Sequence, residues 1–298
     1  MDIARHGRGP AAQVRALASQ VHPVFMLPPL AASLFGAILA GKLDPGLAAA
    51  SGQTGAFDPL LAGLHVTAAF FALYTAHVTD GYVDFYVRDE DDDPPLTERG
   101  CRLARGGASL AFFACLLAVG LAVNWWAALL TLPGWLIGIA HAPVLDTNPV
   151  TATAGYPTGI AIALVGGYYV QATTVSPTVL ALAGVFLVVL SGIKVIDDAK
   201  DYDYDRSIEK RTAAVAMGPD AAYRAAYALM ATGMVAVVAL AVGLDGVPPA
   251  AAAAPVVFAA VALVARRADP GLATKLLIRG SYLFLAVLVT AVWFRPLA

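Results

Sequence analysis

Two short stretches hold most of the acid in this chain. Of 21 Asp and Glu residues, 14 fall between Asp80 and Glu98 or between Asp197 and Glu209. The first stretch reads TAHVTDGYVDFYVRDEDDDPPLTERG. Asp80 and Asp84 stand four residues apart, so on a helix both carboxylates leave the same face. Like charges so placed repel each other, and apolar surroundings raise the cost of ionising both. A divalent cation between them removes the conflict. Mg2+ suits this role, because it takes oxygen ligands and completes its shell with water and bound phosphates. The plain alternative for this pair is a solvated helix end. The run Asp89–Glu90–Asp91–Asp92–Asp93 is different: Pro94 and Pro95 stop any helix there, and such a charge block reads as a solvated loop.

The second stretch reads SGIKVIDDAKDYDYDRSIEKRTAAV. Asp197, Asp201 and Asp205 recur at i, i+4 and i+8, and Asp198 lies three before Asp201, so one helical face is expected to present three carboxylates. Lys194, Lys200, Arg206, Lys210 and Arg211 are interleaved with them, and Arg88 adjoins the first cluster. Carboxylates for a metal and cations for phosphate oxygens are the parts needed to hold a Mg2+–diphosphate. The five histidines, His6, His22, His65, His77 and His141, have no paired spacing for zinc, and P-loop, nucleophile-elbow and Rossmann glycine patterns are missing. His65 reads as structural. His77, one turn before Asp80, is a candidate polar contact.

The elements that must carry these residues are apolar. The 298-residue chain is 59% hydrophobic and 13% charged, about half the charge of an ordinary soluble domain, so its natural solvent is lipid. Stretches of about 20 apolar residues occur at 21–40, 59–83, 103–122, 125–142, 155–171, 177–196, 221–243, 248–265 and 277–294. No strand-like alternation competes with them. With the N-terminal segment 1–20 inside, nine spans put every Lys and Arg except Lys42 and Arg295 on the cytoplasmic side, together with both acid clusters. The expectation is one domain over 1–298, a multi-pass protein of the plasma membrane. Trp125, Trp126, Trp135, Trp293, Tyr168 and Tyr169 are expected to form an interfacial belt. Nothing points to a nucleic-acid partner or to an obligate protein partner.

At this level two functions compete. A cation-coupled transporter would use the acids as ion sites, but it needs them near mid-membrane on broken helices. Acids at helix ends with basic neighbours favour a bound polyanion.

The same residues resemble the UbiA superfamily of intramembrane prenyltransferases, which carries a first motif N-x-x-x-D-x-x-x-D and a second D-x-x-D-x-x-x-D-R followed by K-R-T. Here DDAKDYDYDRSIEKRT supplies Asp198, Asp201, Asp205, Arg206, Lys210, Arg211 and Thr212. Asp80 and Asp84 match the first motif, Ala76 stands where the family has Asn, and His77 is a candidate substitute. An Arg-Pro common at the first helix is His22–Pro23 here, and basic residues often found after the fourth helix are missing from HAPVLDTNPVTATAGYP. The resemblance implies an all-α bundle of nine transmembrane helices around a central cavity. It further implies Mg2+-dependent transfer of a prenyl group from an isoprenyl diphosphate to a lipophilic acceptor such as a quinone precursor, an ether lipid or a carotenoid. Asp80, Asp84, Asp198, Asp201 and Asp205 would be catalytic and metal-binding, with Asp197 a further ligand. Lys194, Arg206, Lys210, Arg211 and Arg88 would bind the diphosphate.

Overall fold

The computed structural model describes residues 3–43, 57–90, 92–208, 210–243 and 247–295; Asp91 and Glu209 of the acidic stretches lie outside them. Twelve α-helices follow in chain order: α1 (Pro10–Ala18), α2 (Pro23–Leu43), α3 (Pro59–Tyr86), α4 (Glu98–Ala122), α5 (Trp125–Ala140), α6 (Pro149–Ala172), α7 (Pro177–Lys200), α8 (Tyr202–Ser207), α9 (Ala213–Met217), α10 (Pro219–Gly243), α11 (Ala253–Ala265) and α12 (Pro270–Phe294). Seven of them are long and apolar enough to cross a membrane, and two shorter apolar helices, Trp125–Ala140 and Pro249–Ala265, stand where the fourth and eighth spans were expected. The expected all-α class is therefore met. Among the described residues the only extended pairing is a single bridge, Ala4 to Leu96, with Arg5 N–H donating to Pro95 and Thr97 N–H to Ile3.

A repeated local signal starts these helices. Asp58–Pro59, Asn148–Pro149, Ser176–Pro177 and Asp269–Pro270 each put a capping side chain before a proline at the first turn, and each cap accepts a backbone N–H. The cap satisfies an orphan donor, while proline lacks one and brings a helical φ. Far from the acid clusters, the Gln171 side chain accepts from Asp58 N–H and donates to Asp58 C=O, both at 2.9 Å, tying the start of α3 to the end of α6.

α2 packs mainly on α6, and two glycines permit the approach. A Cβ on Gly167 would fall 2.0 Å from the carbonyl oxygen of Ser33, and one on Gly36 would fall 2.0 Å from that of Leu164. Backbones so close gain dispersion contacts that lipid cannot replace. α2 also contains Pro28 and Pro29, which have no N–H for the carbonyls of Val24 and Phe25. Those two carbonyls accept instead from tyrosine hydroxyls on other helices: Tyr282 of α12 on Val24, and Tyr156 of α6 on Phe25 at 2.6 Å. In a hydrocarbon solvent such replacement is a requirement, because no water is there to supply it. The main core runs through α2, α6, α7, α10, α11 and α12, with Phe35 tilted against Phe186 and Phe284 in edge contact with both Phe186 and Phe258.

The structure corrects the expected aromatic belt. Trp125 and Trp126 are exposed, but Tyr168 is fully buried, and Trp135 lies mid-helix, stacked on Phe112 with its indole N–H on Ser109 Oγ.

Candidate active site

α3 delivers the first acid pair. His77 and Asp80 face a cavity of about 420 Å3, and Asp84 lies one turn further on. The helix stops at Tyr86, after which Asp89 takes a left-handed conformation and Glu90 N–H returns to the Asp84 carbonyl at 2.7 Å. This reversal folds Arg88 back across the helix end. Its guanidinium reaches Asp84 at 3.6 Å, Asp146 at 3.2 Å, Glu90 at 3.9 Å and the Ala142 carbonyl at 2.6 Å. Glu90 thus differs from the solvated loop expected for 89–93: among the described residues of that run Asp89, Asp92 and Asp93 are exposed, Glu90 is half-buried, and His6 pairs with Asp93.

The second acid group is not the single helical face that its spacing predicts. α7 ends at Lys200, Asp201 breaks the helix with φ −101° and ψ 14°, and α8 starts afresh at Tyr202. Asp201 N–H closes a tight turn onto the Asp198 carbonyl, as aspartate readily does at helix ends. Asp198 and Asp205 therefore point inward while Asp201 is exposed. Lys194 binds Asp198 at 2.6 Å and Asp197 at 3.6 Å, and Lys200 bridges Asp197 and Asp201 at 3.1 Å each. Lys210 N–H donates to the Asp205 carbonyl, and its ammonium lies 3.3 Å from Asp146. Burial pushes the Asp205 carboxyl above the usual carboxylate range against the pull of Lys210. Burial also pulls on the Lys210 ammonium, but Asp146 and Asp205 outweigh it and hold its pKa above the ordinary value. Arg206 and Arg211 are exposed at the rim, Arg206 beside the Tyr202 hydroxyl.

The cavity joins these groups to the apolar interior. Asp80, Asp197, Lys194, His77 and His141 mark its polar end, with His22 and His77 rings 4.9 Å apart. Deeper walls come from Phe112 of α4, Ile137 of α5, Ile162 of α6 and the proline-bearing turn of α2. His65 lies about 22 Å from Asp80 along α3 at the helical rise; it bonds Ser33 Oγ at 2.7 Å and lines the same cavity. The acids stand at helix ends and not at mid-span, which is the feature that separates a polyanion site from an ion-transport site.

The UbiA prenyltransferase family model matches residues 45–288. The chain belongs to the UbiA prenyltransferase family. Among solved structures it resembles an apo UbiA homologue from Aeropyrum pernix K1 (16% identity, TM-score 0.68, covering 91% of this chain and 98% of that one). It also resembles an Archaeoglobus fulgidus UbiA homologue bound to GPP and Mg2+ (17% identity, TM-score 0.67, 94% and 99% covered). A digeranylgeranylglyceryl phosphate synthase shares the fold as well (13% identity, TM-score 0.69, 93% and 98% covered). At these identities the likeness is one of fold. No curated protein matches the chain by sequence.

The UbiA-type donor set fits a hard cation that arrives with its own ligands. Among the described residues no three His, Cys, Asp or Glu side chains gather as a ready-made metal cage. All the motif donors are carboxylate oxygens, and Asp198 Oδ2 is buried with no hydrogen-bond partner. One or two carboxylates plus substrate phosphates is the usual way Mg2+ is held. Sequence reasoning missed Asp146 and His141. The signal was available: Asp146 is the only Asp, Glu, Lys or Arg between Arg105 and Lys194. An isolated charge in so long an apolar stretch marks a functional position.

Proposed function

We propose that this UbiA-family chain transfers an isoprenyl group from its diphosphate to a lipophilic acceptor, with Mg2+ as cofactor. The observation that carries this reading is the meeting of carboxylates and cations from both motifs at the polar end of a largely apolar cavity. Asp80 and Asp84 on one side, and Asp197, Asp198, Asp201 and Asp205 on the other, would hold Mg2+. When bound, Mg2+ would neutralise phosphate oxygens and allow a diphosphate to approach the carboxylates. Arg88, Lys194, Arg206, Lys210 and Arg211 provide the remaining positive charge. As the allylic carbon–oxygen bond breaks, its electron pair leaves with the diphosphate, and preorganised cations at that point lower the barrier. The acceptor's electron-rich carbon or oxygen then bonds the freed allylic carbon and loses a proton. Phe25, Phe112 and Tyr156 line the cavity where the cation-like chain lies, keeping water away and offering aromatic faces.

The A. fulgidus homologues bound to GPP or DMAPP with Mg2+ support the donor class. The distribution of Lys and Arg supports a cytoplasmic acid end in this reading, with the plasma membrane as the proposed location. Membranes containing the protein, incubated with radiolabelled prenyl diphosphates and an extracted lipid pool, should yield a labelled lipid. That product should vanish in excess EDTA and return with Mg2+. Full turnover in EDTA would remove the metal from the reading, and no labelled lipid with any donor would remove the reaction.

A further inference from the structure

Asp146 is held in a way that the chemistry above does not require. It sits in the single 3-10 turn Leu145–Thr147 joining α5 to α6, and its side chain is 13% exposed. One oxygen, Oδ2, lies 3.2 Å from Arg88 Nη1 and 3.3 Å from Lys210 Nζ. Arg88 comes from the end of the first acid motif, and Lys210 follows the second. A lone carboxylate therefore links the two halves of the site, through two of the cations assigned to the diphosphate. Arg88 Nη2 also holds the Ala142 carbonyl at 2.6 Å, so the same guanidinium pins the turn at two points.

An oxygen between a guanidinium and an ammonium is placed as a phosphate oxygen would be, since both anions recruit charge-assisted N–H donors at this range. A diphosphate entering the site needs those same donors. If Asp146 kept them, its charge would repel the incoming anion across a poorly hydrated gap. We propose that Asp146 is a built-in stand-in for a phosphate oxygen. It keeps Arg88 and Lys210 in position while the diphosphate seat is empty, yields them to the donor, and takes them back as diphosphate departs. The inference rests on the diphosphate reading of the site and adds a step that sets donor affinity and eases product release. Asp146 is in this sense a positioning residue.

The sign of one measurement separates this role from its rivals. Binding of inorganic diphosphate at saturating Mg2+ is measured on the purified full chain and on Asp146→Asn, which keeps the side-chain shape and removes the charge. Asp146→Asn should bind more tightly, on the order of three- to tenfold, because a competing anion has gone. The gain should shrink in a Lys210→Met background, where one of the shared cations is missing. Weaker binding would make Asp146 a metal ligand, and unchanged binding would make it a strut; either overturns the proposal. Binding by neither protein overturns the diphosphate reading itself, whereas binding by wild type without a gain in Asp146→Asn overturns this inference alone. Hydrogen exchange on the wild-type protein gives a test independent of any substitution. The amides of Val144 and Asp146 are bonded to Ala140 and His141. They should exchange faster when Mg2+–diphosphate is added, and slower exchange would refute release of the turn.

Discussion

Asp198 and Asp205 are buried, while Asp201 between them in sequence is half exposed. The motif acids are thus unequal in what each stands to lose. Asp80→Asn and Asp198→Asn should lower kcat/KM by a hundredfold or more, about 2.7 kcal/mol of transition-state stabilisation, with thermal melting run alongside to separate site from fold. Asp201→Ala should be intermediate, and Asp92→Ala should stay within about twofold, because an exposed carboxylate makes only screened interactions. Steady-state assays with a labelled prenyl diphosphate give the ranking; a loop acid as critical as Asp80 would redraw the site. The first pair was legible from spacing, since helical periodicity places Asp80 and Asp84 on one face of α3. Asp201 was misjudged because periodicity assumes an unbroken helix, and aspartate is itself a residue that ends one. Asp146 escaped because it is single, and a pattern search rewards clusters.

At the scale of elements, the paired prolines of α2 set up an exchange that can be measured. Tyr156→Phe leaves the Phe25 carbonyl without a donor, which should cost about 1–3 kcal/mol of stability. Pro29→Ala restores a backbone N–H at the position that carbonyl needs, so the double variant Tyr156→Phe/Pro29→Ala should recover much of the loss. Tyr282→Phe with Pro28→Ala should behave in the same way. Thermal unfolding in detergent reads both cycles, and additive losses in place of rescue would show that the hydroxyls do not substitute for the missing amides. Gly167→Ala should be worse than either single tyrosine change, because its Cβ meets a backbone oxygen that cannot move aside. The helix starts were readable from cap-and-proline pairs. The tyrosine partners were not, because nothing in the local sequence of α6 or α12 indicates which carbonyl across the bundle lacks a donor.

For the whole molecule, hydrophobic stretches located the helices, and the basic residues propose an orientation that labelling can test. A cysteine placed by Asp203→Cys should resist a membrane-impermeant reagent in intact cells and react after permeabilisation; labelling from outside would invert the topology. The central cavity was expected only through family resemblance. Its formation depends on how seven or more helices lean on one another, and no single segment encodes that. The two tyrosine–carbonyl bonds of α2 carry a further consequence, for the order of events on the ribosome. Tyr282 follows Val24 by 258 residues, so α2 emerges from the ribosome long before this donor has been translated. Until α12 arrives, the proline-bearing turn of α2 has open carbonyls and is best accommodated beside water or the insertion machinery. Nascent chains arrested before Pro270 should therefore keep α2 crosslinkable to the translocon, and release should coincide with synthesis of α12. By this reading α2 is made well before the donors that complete it.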